Sequence, residues 1–179
     1  MIVEGKPLFV IGSPPCTALS VMQNINKNRR DPKIVRAEEE EAKEHVRSCV
    51  GLCKIQIENR RYFVHEHPAG AASWQMAEMI KVAMMPGVDI VTMDMCCFGM
   101  TAEKDGIEGP VRKRTKIASN SKEVLKRIDR KCPNDIPGEA KHQHIVLESG
   151  RPKNAQVYPR AFCGAVCEGI AAEKKGSGP

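Results

Sequence analysis

A cysteine that could act as a nucleophile follows the first apolar run of the chain. Residues 7–11 have the composition of a buried strand, and the proline-containing loop 12–15 ends this strand directly before Cys16. Cysteine thiolates are strong nucleophiles. Ligands of open α/β sheets bind beyond the carboxyl ends of the strands, so the position of Cys16 favours chemistry over packing.

A carboxylate occupies a similar position 50 residues later. Residues 62–64 form a second short apolar run, and residues 65–68, His-Glu-His-Pro, follow it. One loop, one helix and one strand would fill the span between Cys16 and Glu66. We therefore expect both side chains at the carboxyl ends of adjacent parallel strands, facing a common cleft and no more than about 15 Å apart.

Strand and helix patterns alternate along the chain. Apolar residues recur at three- and four-residue spacing from about residue 34 to 58, which predicts a long amphipathic helix. The remaining patterns predict strands at residues 7–11, 62–64, 88–95 and 115–118, and helices at residues 71–84, from about 121 to 132, and after residue 159. This alternation is typical of a layered α/β sheet.

The length of 179 residues is sufficient for one domain with a hydrophobic core. We expect a single domain over residues 1–172. Residues 173–179 are rich in Lys, Gly and Ser, so we expect a disordered tail there.

Basic residues suggest a polyanionic partner. The formal charge is +6, and the basic residues cluster in short stretches that include Arg29 with Arg30 and the run Arg112, Lys113 and Arg114. We expect these five side chains to contact the phosphates of a nucleic acid, which the chain alone would bind weakly. Ordinary solvated loops and helix faces are the alternative for each cluster.

No membrane or secretion signal stands out. Lys6, Asp89 and Asp94 interrupt the longest apolar runs, which fall short of the roughly 20 residues that cross a bilayer. Met1 does not begin a charged and apolar leader. We therefore expect the eight cysteines to be thiols in an intracellular, reducing compartment, either nucleus or cytoplasm.

Two histidine pairs raise the possibility of a metal site. His65 and His67 flank Glu66, while His142 and His144 follow Cys132 at a short distance. Zinc uses such ligands. No paired Cys-x-x-Cys accompanies them, so we favour ordinary histidines and expect no metal.

The motifs around Cys16 and Glu66 resemble those of cytosine-5 DNA methyltransferases. Residues 12–20, Gly-Ser-Pro-Pro-Cys-Thr-Ala-Leu-Ser, are similar to the Pro-Cys catalytic loop of that family, and residues 66–68 stand where the family has Glu-Asn followed by Val or Pro. Further similarity to phage-type members, extending the resemblance over residues 7–171, lies in residues 96–99, 113–115, 119–120 and 158–163, with Arg114 in the place of a proline.

The resemblance implies a fold and a reaction. The fold would be a partial Rossmann-like methyltransferase sheet, three-layered and mostly parallel, truncated at its N-terminal side. Cys16 would add to carbon 6 of a cytosine flipped out of the duplex, and Glu66 would contact nitrogen 3 and the exocyclic amine. The methyl group would then be transferred to carbon 5. The resemblance also implies that duplex DNA is the nucleic acid bound by Arg29, Arg30, Arg112, Lys113 and Arg114.

The implied cofactor is S-adenosylmethionine, which the family binds with a Gly-rich loop ahead of the Pro-Cys loop. Gly5 and Gly12 do not form such a loop, so we expect no cofactor binding unless an upstream segment or a partner subunit completes the site. Two hypotheses follow. The chain is either a methyltransferase-like catalytic module that is incomplete or inactive alone, or a catalytically dead nucleic-acid-binding remnant of a mobile-element polyprotein.

Overall fold

The computed structural model describes residues 2–20, 30–146 and 157–176. The helices are α1 (Ile2–Gly5), α2 (Pro32–Glu58), α3 (Ala77–Ala83), α4 (Lys122–Ile128) and α5 (Arg160–Gly176). The strands are β1 (Phe9–Gly12), β2 (Tyr62–Pro68), β3 (Asp89–Asp94), β4 (Thr101–Lys104), β5 (Ile107–Pro110) and β6 (Arg114–Ser119). One sheet has the strand order β1-β2-β6-β3, and β4 and β5 form a separate pair. The predicted mixed α/β class is confirmed.

The chain divides into two compact units, although its length predicts a single domain. The first unit comprises Met1–Ile90 and Lys116–Ser121, and the second comprises Val91–Thr115 and Lys122–Pro179. Strands β3 and β6 each contribute residues to both units.

In the first unit, α2 packs on two parallel strands. Strands β1 and β2 pair in parallel with Gly12 opposite His65, and α2 contacts both strands. Helix α2 begins two residues before the predicted start, because the side chain of Asp31 caps it by accepting a hydrogen bond from the Lys33 backbone N–H (2.8 Å). One cluster of buried core residues in this unit consists of Leu19, Ala42, Val46, Val50, Cys53, Phe63, Met79, Val82, Val88 and Ala118.

Strand β2 is longer than predicted and includes residues 65–67. The Phe63 backbone N–H donates to the side chain of Asn120 (2.9 Å), and the Ser119 hydroxyl donates to the Phe63 carbonyl (2.5 Å). Since β2 lies between β1 and β6 in the sheet, it has a strand neighbour on each side. Its polar residues 65–67 are buried rather than part of an exposed loop, with the His65 ring against Trp74 and the His67 ring beside the Ser73 hydroxyl.

A buried glutamine joins α2 to the start of both parallel strands. The Gln56 side-chain amide donates to the carbonyl of Pro7 (3.0 Å) and to the carbonyl of Tyr62 (2.8 Å). The Tyr62 carbonyl belongs to the first residue of β2, and the Pro7 carbonyl lies two residues before β1. The side chain thereby fixes the helix against the sheet.

In the second unit, the β-hairpin β4–β5 lies in a part of the chain where the sequence patterns predicted no strand. Lys104 pairs with Ile107 across a turn of Asp105 and Gly106, whose φ angles are 54° and 78°. Asp-Gly is the favoured dipeptide of a two-residue hairpin turn, because both central residues need positive φ. This dipeptide could have revealed the hairpin from the sequence.

Helices α4 and α5 pack closely at a glycine. A Cβ atom added to Gly169 would lie 2.6 Å from the Cα atom of Val124, so only glycine fits at this point of α5. Helix α5 continues to Gly176, through the beginning of the tail that was expected to be disordered, and Glu173 accepts a hydrogen bond from the Glu123 backbone N–H (3.4 Å). Residues 177–179 lie outside the described residues.

None of the helices in the described part of the chain combines the length and the apolar character required to span a membrane.

Substitution of Gly169 tests the packing of α5 on α4. We expect Gly169→Ala to lower the free energy of unfolding by about 1–3 kcal/mol, because the added methyl group meets backbone atoms that must shift. Gly164→Ala is the matched control on the same helix, where an added Cβ has no neighbour within 4 Å. It should stabilise the protein by about 0.5–1 kcal/mol through helix propensity. Chemical denaturation measures both, and equal effects of the two substitutions would contradict the close approach.

Candidate functional site

The loop before Cys16 is bonded to Glu66. The Ser13 hydroxyl donates a hydrogen bond to Oε2 of Glu66 (2.7 Å), and the Glu66 side chain is buried in β2. The parallel register explains this contact. Gly12 lies opposite His65, so the residues that follow them, Ser13 and Glu66, are also neighbours. The carboxylate is therefore held at the point where β1 passes into the Pro-Cys loop.

Cys16 lies three residues after Ser13, at the start of a single turn of 3-10 helix over Thr17–Leu19. Its carbonyl accepts a hydrogen bond from the Leu19 backbone N–H (3.2 Å), and its side chain is half-buried. Three residues span at most about 11 Å. The structure thus brings the Cys16 loop and Glu66 to the same edge of the first unit.

Both histidines that flank Glu66 are buried. The His67 Nδ1 atom lies 2.5 Å from the Ser73 hydroxyl oxygen. His65 is 1% exposed and packs edge-on against Trp74, with ring centroids 5.6 Å apart. Burial, together with a smaller contribution from the neighbouring His67, lowers the pKa of His65 to about 4. His65 is therefore a neutral imidazole next to the candidate carboxylate.

A surface cavity of about 370 Å³ opens beside the Pro-Cys loop. Loop residues Pro15, Thr17 and Ala18 line one part of it, and α2 residues that include Glu38 and Glu41 line another. Its lining includes neither Cys16 nor Glu66. The two acidic residues make this cavity a poor receptor for a phosphate.

Arg30 also lines this cavity and forms an ion pair with Glu38 (2.6 Å). The hydrogen bond from Arg30 lowers the pKa of Glu38 below its usual range. The guanidinium of this expected DNA contact, which lies two residues before α2, is therefore occupied by a carboxylate of that helix. Arg29, the other basic residue predicted here, lies outside the described residues.

In the second unit, Arg112 and Arg114 bind a buried carboxylate. Their Nε atoms lie 3.2 Å and 3.1 Å from Oδ1 of Asp94, which is fully buried. Both guanidiniums also bond to Asp135, and the Cys132 backbone N–H donates to Oδ2 of Asp94 (3.0 Å). Two of the three central basic residues predicted to contact phosphates thus form an internal ion-pair network.

The third, Lys113, lies over the ring of Tyr158, with its ammonium nitrogen 5.1 Å from the ring centroid. An ammonium at this distance from an aromatic face makes a cation–π contact. The basic run is therefore integrated into the second unit rather than forming a purely solvated loop.

The second unit also assembles four side chains with metal-ligating atoms. The Cys132 sulfur lies 3.6 Å from Nε2 of His142 and 3.5 Å from Nε2 of His144, and these two nitrogens are 2.8 Å apart. Cys96 joins them, and all four ligand atoms lie within 4.8 Å of one another. We call Cys96, Cys132, His142 and His144 the Cys/His cluster.

The sequence indicated three members of the Cys/His cluster but not Cys96. Cys96 lies in a 3-10 turn directly after β3, and its partners lie more than thirty residues further along the chain. Burial raises the pKa of the Cys96 thiol to about 12, with a hydrogen bond to Cys132 adding to the effect. Burial likewise lowers the pKa of His144, and His142 contributes to the shift. Both shifts favour the neutral forms of the Cys96 thiol and the His144 imidazole.

The other histidine pair, His65 and His67, is not part of the Cys/His cluster, and its ring centroids are 6.2 Å apart.

No known protein family, curated protein or solved structure matches this chain.

The depressed pKa of His65 predicts a loss of stability in acid. The unfolded chain binds a proton near pH 6.5, whereas the folded chain resists it until about pH 4. The contribution of His65 to stability is therefore complete above about pH 6.5 and falls as the pH decreases, by about 2 kcal/mol at pH 5. Chemical denaturation of the wild type and of His65→Phe at pH 8 and pH 5 should show a smaller loss in the variant. His45→Gln, at an exposed histidine, should behave as the wild type, and an identical loss in His65→Phe would contradict the prediction.

The arginine network predicts that Arg112 and Arg114 support folding more than DNA binding. Replacing both by Ala leaves the buried Asp94 carboxylate without its charged partners, so we expect a loss of about 3–5 kcal/mol in the free energy of unfolding. Arg36→Ala, at an exposed position on α2, should have little effect. If the two guanidiniums instead neutralised phosphates, the logarithm of the affinity for duplex DNA would fall less steeply with the logarithm of the salt concentration. The slope would be smaller in magnitude by about 2 in the double variant.

Proposed function

We propose that this chain is a DNA (cytosine-5)-methyltransferase-like catalytic module in which Cys16 is the nucleophile and Glu66 recognises the base. The hydrogen bond from Ser13 to Glu66 carries the proposal, because it ties the Pro-Cys loop to a buried carboxylate across adjacent parallel strands. A cytosine that enters this edge of the sheet would meet a thiol and a carboxylate together.

The chemistry of this site requires addition before transfer. The Cys16 thiolate forms a bond to carbon 6 of an extrahelical cytosine, and the electron pair of the 5,6 double bond moves into the ring. Carbon 5 then takes up a proton or another electrophile. The original hydrogen then leaves carbon 5 as a proton to water, its electron pair re-forms the 5,6 double bond, and the Cys16 thiolate is expelled from carbon 6.

Glu66 has the environment needed to stabilise this addition. Its carboxyl group is buried and held by the Ser13 hydroxyl, so it is oriented before the base arrives. Contacts with nitrogen 3 and the exocyclic amine would select cytosine over thymine, which presents a carbonyl oxygen in the place of that amine. Electrostatic interactions are stronger in such a water-poor site than at the surface.

S-adenosylmethionine does not fit the described residues that precede Cys16. Gly5 ends a helix of four residues, and the Cα atom of Gly12 faces the side chains of Cys49 and His65, where an added Cβ would meet both at 3.6 Å. Residues 2–15 therefore offer no open glycine loop between a strand and a helix. The proposal for this chain is limited to base recognition and thiol addition, with the methyl donor held by another segment or subunit.

Exchange of the hydrogen at carbon 5 tests the proposal without a methyl donor. Reversible addition of Cys16 makes carbon 5 basic, so a single-stranded oligonucleotide with tritium at carbon 5 of its cytosines should release tritium to water when incubated with the protein. Cys16→Ser should reduce the release to background. Glu66→Gln should slow it by about 100-fold, because the ring charge is no longer stabilised.

Cys163→Ser is the matched control, since Cys163 is an exposed thiol on α5. It should exchange at the wild-type rate. Equal release by the wild type and Cys16→Ser would exclude Cys16 as the nucleophile. A folded wild-type protein that binds the oligonucleotide without releasing tritium would instead favour the catalytically dead nucleic-acid-binding remnant.

A further inference from the structure

The Cys/His cluster has the composition of a zinc site. It offers two sulfur and two nitrogen atoms from four side chains, and these are the ligands that tetrahedral structural zinc prefers. Zn–S bonds of ~2.3 Å and Zn–N bonds of ~2.0 Å at tetrahedral angles place sulfur and nitrogen ~3.6 Å apart. The two observed distances from the Cys132 sulfur, 3.6 Å and 3.5 Å, agree with this value.

We propose that Cys96, Cys132, His142 and His144 bind one zinc ion and that this ion fixes the irregular segment between α4 and residue 146. The proposal is independent of Cys16 and of the methyltransferase hypothesis. All four ligands belong to the second unit.

The arrangement of the histidines supports a cation at the centre of the cluster. The Nε2 atoms of His142 and His144 point at each other at 2.8 Å, with the rings nearly perpendicular. Binding of zinc would move these nitrogens to ~3.3 Å, a small displacement. The same ion would bind both nitrogens and the sulfur of the buried Cys132.

The backbone around the histidines is already positioned. The side chain of Asn134 donates to the His142 carbonyl (2.8 Å) and accepts from the His142 backbone N–H (2.9 Å). Lys141 donates to three backbone carbonyls within residues 133–136. The Ile145 backbone N–H donates to the Pro110 carbonyl of β5 (2.9 Å). The ligands therefore need little rearrangement to bind the ion.

The cysteines are equally well positioned. Asp94 accepts the backbone N–H of Cys132, and Cys96 follows Asp94 by two residues in the turn after β3. Zinc would connect this turn to the segment after α4, which contains one short 3-10 turn over Pro133–Asp135. Because four protein ligands complete a tetrahedral shell, the ion would be structural rather than catalytic.

Metal analysis of the full chain tests this proposal. Protein purified from zinc-supplemented medium should contain about one zinc per chain, as expected for a single closed site. Removal of zinc by a chelator should lower the melting temperature, and addition of zinc should restore it. Cobalt in place of zinc should give the intense visible bands of a tetrahedral complex and a thiolate-to-cobalt charge-transfer band. A wild-type protein that lacks zinc and does not respond to added zinc in these measurements would overturn the proposal.

Single substitutions locate the ion. Cys96→Ser, Cys132→Ser, and His144→Gln should each weaken zinc binding by at least about 100-fold in competition with a chelating indicator. Cys97→Ser is the matched control, since Cys97 is the neighbouring thiol in the same turn and lies outside the cluster. It should retain zinc at wild-type affinity. If Cys132→Ser does not fold, Cys96→Ser and His144→Gln decide the result.

A variant of the histidine pair in the first unit tests whether zinc binds there instead of at the Cys/His cluster. His65→Phe should retain one zinc per chain with unchanged affinity. Retention of zinc by every cluster variant, or its loss on replacement of His65 or of Cys97, would overturn the assignment to these four residues.

Discussion

The second unit depends on one buried carboxylate. Asp94 ends β3 and binds Arg112 before β6, Arg114 at the first residue of β6, and the backbone of Cys132 after α4. Three separate parts of the chain therefore meet at a single charge. A buried carboxylate with this many partners is costly to leave unpaired, so the three segments assemble around it together. The location of Cys132, and with it the centre of the Cys/His cluster, follows from this arrangement.

The first unit depends instead on strand register. Parallel pairing with Gly12 opposite His65 determines which residue of β2 faces the Pro-Cys loop, and a shift of one residue would turn Glu66 to the other face of the sheet. The proximity of the Cys16 loop to Glu66 was predictable, because apolar runs followed by loops reveal parallel strand ends. The burial of His65 and His67 was not, because it depends on contacts of their rings with Trp74 and Ser73.

The remaining differences between sequence and structure involve contacts across long stretches of chain. Sequence patterns predict α2 and the strands β1, β2, β3 and β6. No local pattern relates Cys96 to residues beyond position 130. The arginines of residues 112–114 resemble a phosphate-binding loop in sequence, and only the folded chain shows that Asp94 and Asp135 bind two of them. The hairpin β4–β5 is the exception, since its Asp105-Gly106 turn was visible in the sequence.

Because of the strand order, the four-stranded sheet cannot be completed until β6 has been synthesised. Strand β6 is the last of the six strands to leave the ribosome, yet it lies between β2 and β3 in the finished sheet. Until residues 114–119 emerge, β2 exposes one edge and β3 has no neighbour in the sheet. Unpaired strand edges template association with other chains. The nascent protein is therefore most exposed to aggregation in the interval between the synthesis of β3 and that of β6, when a holdase chaperone would benefit it most.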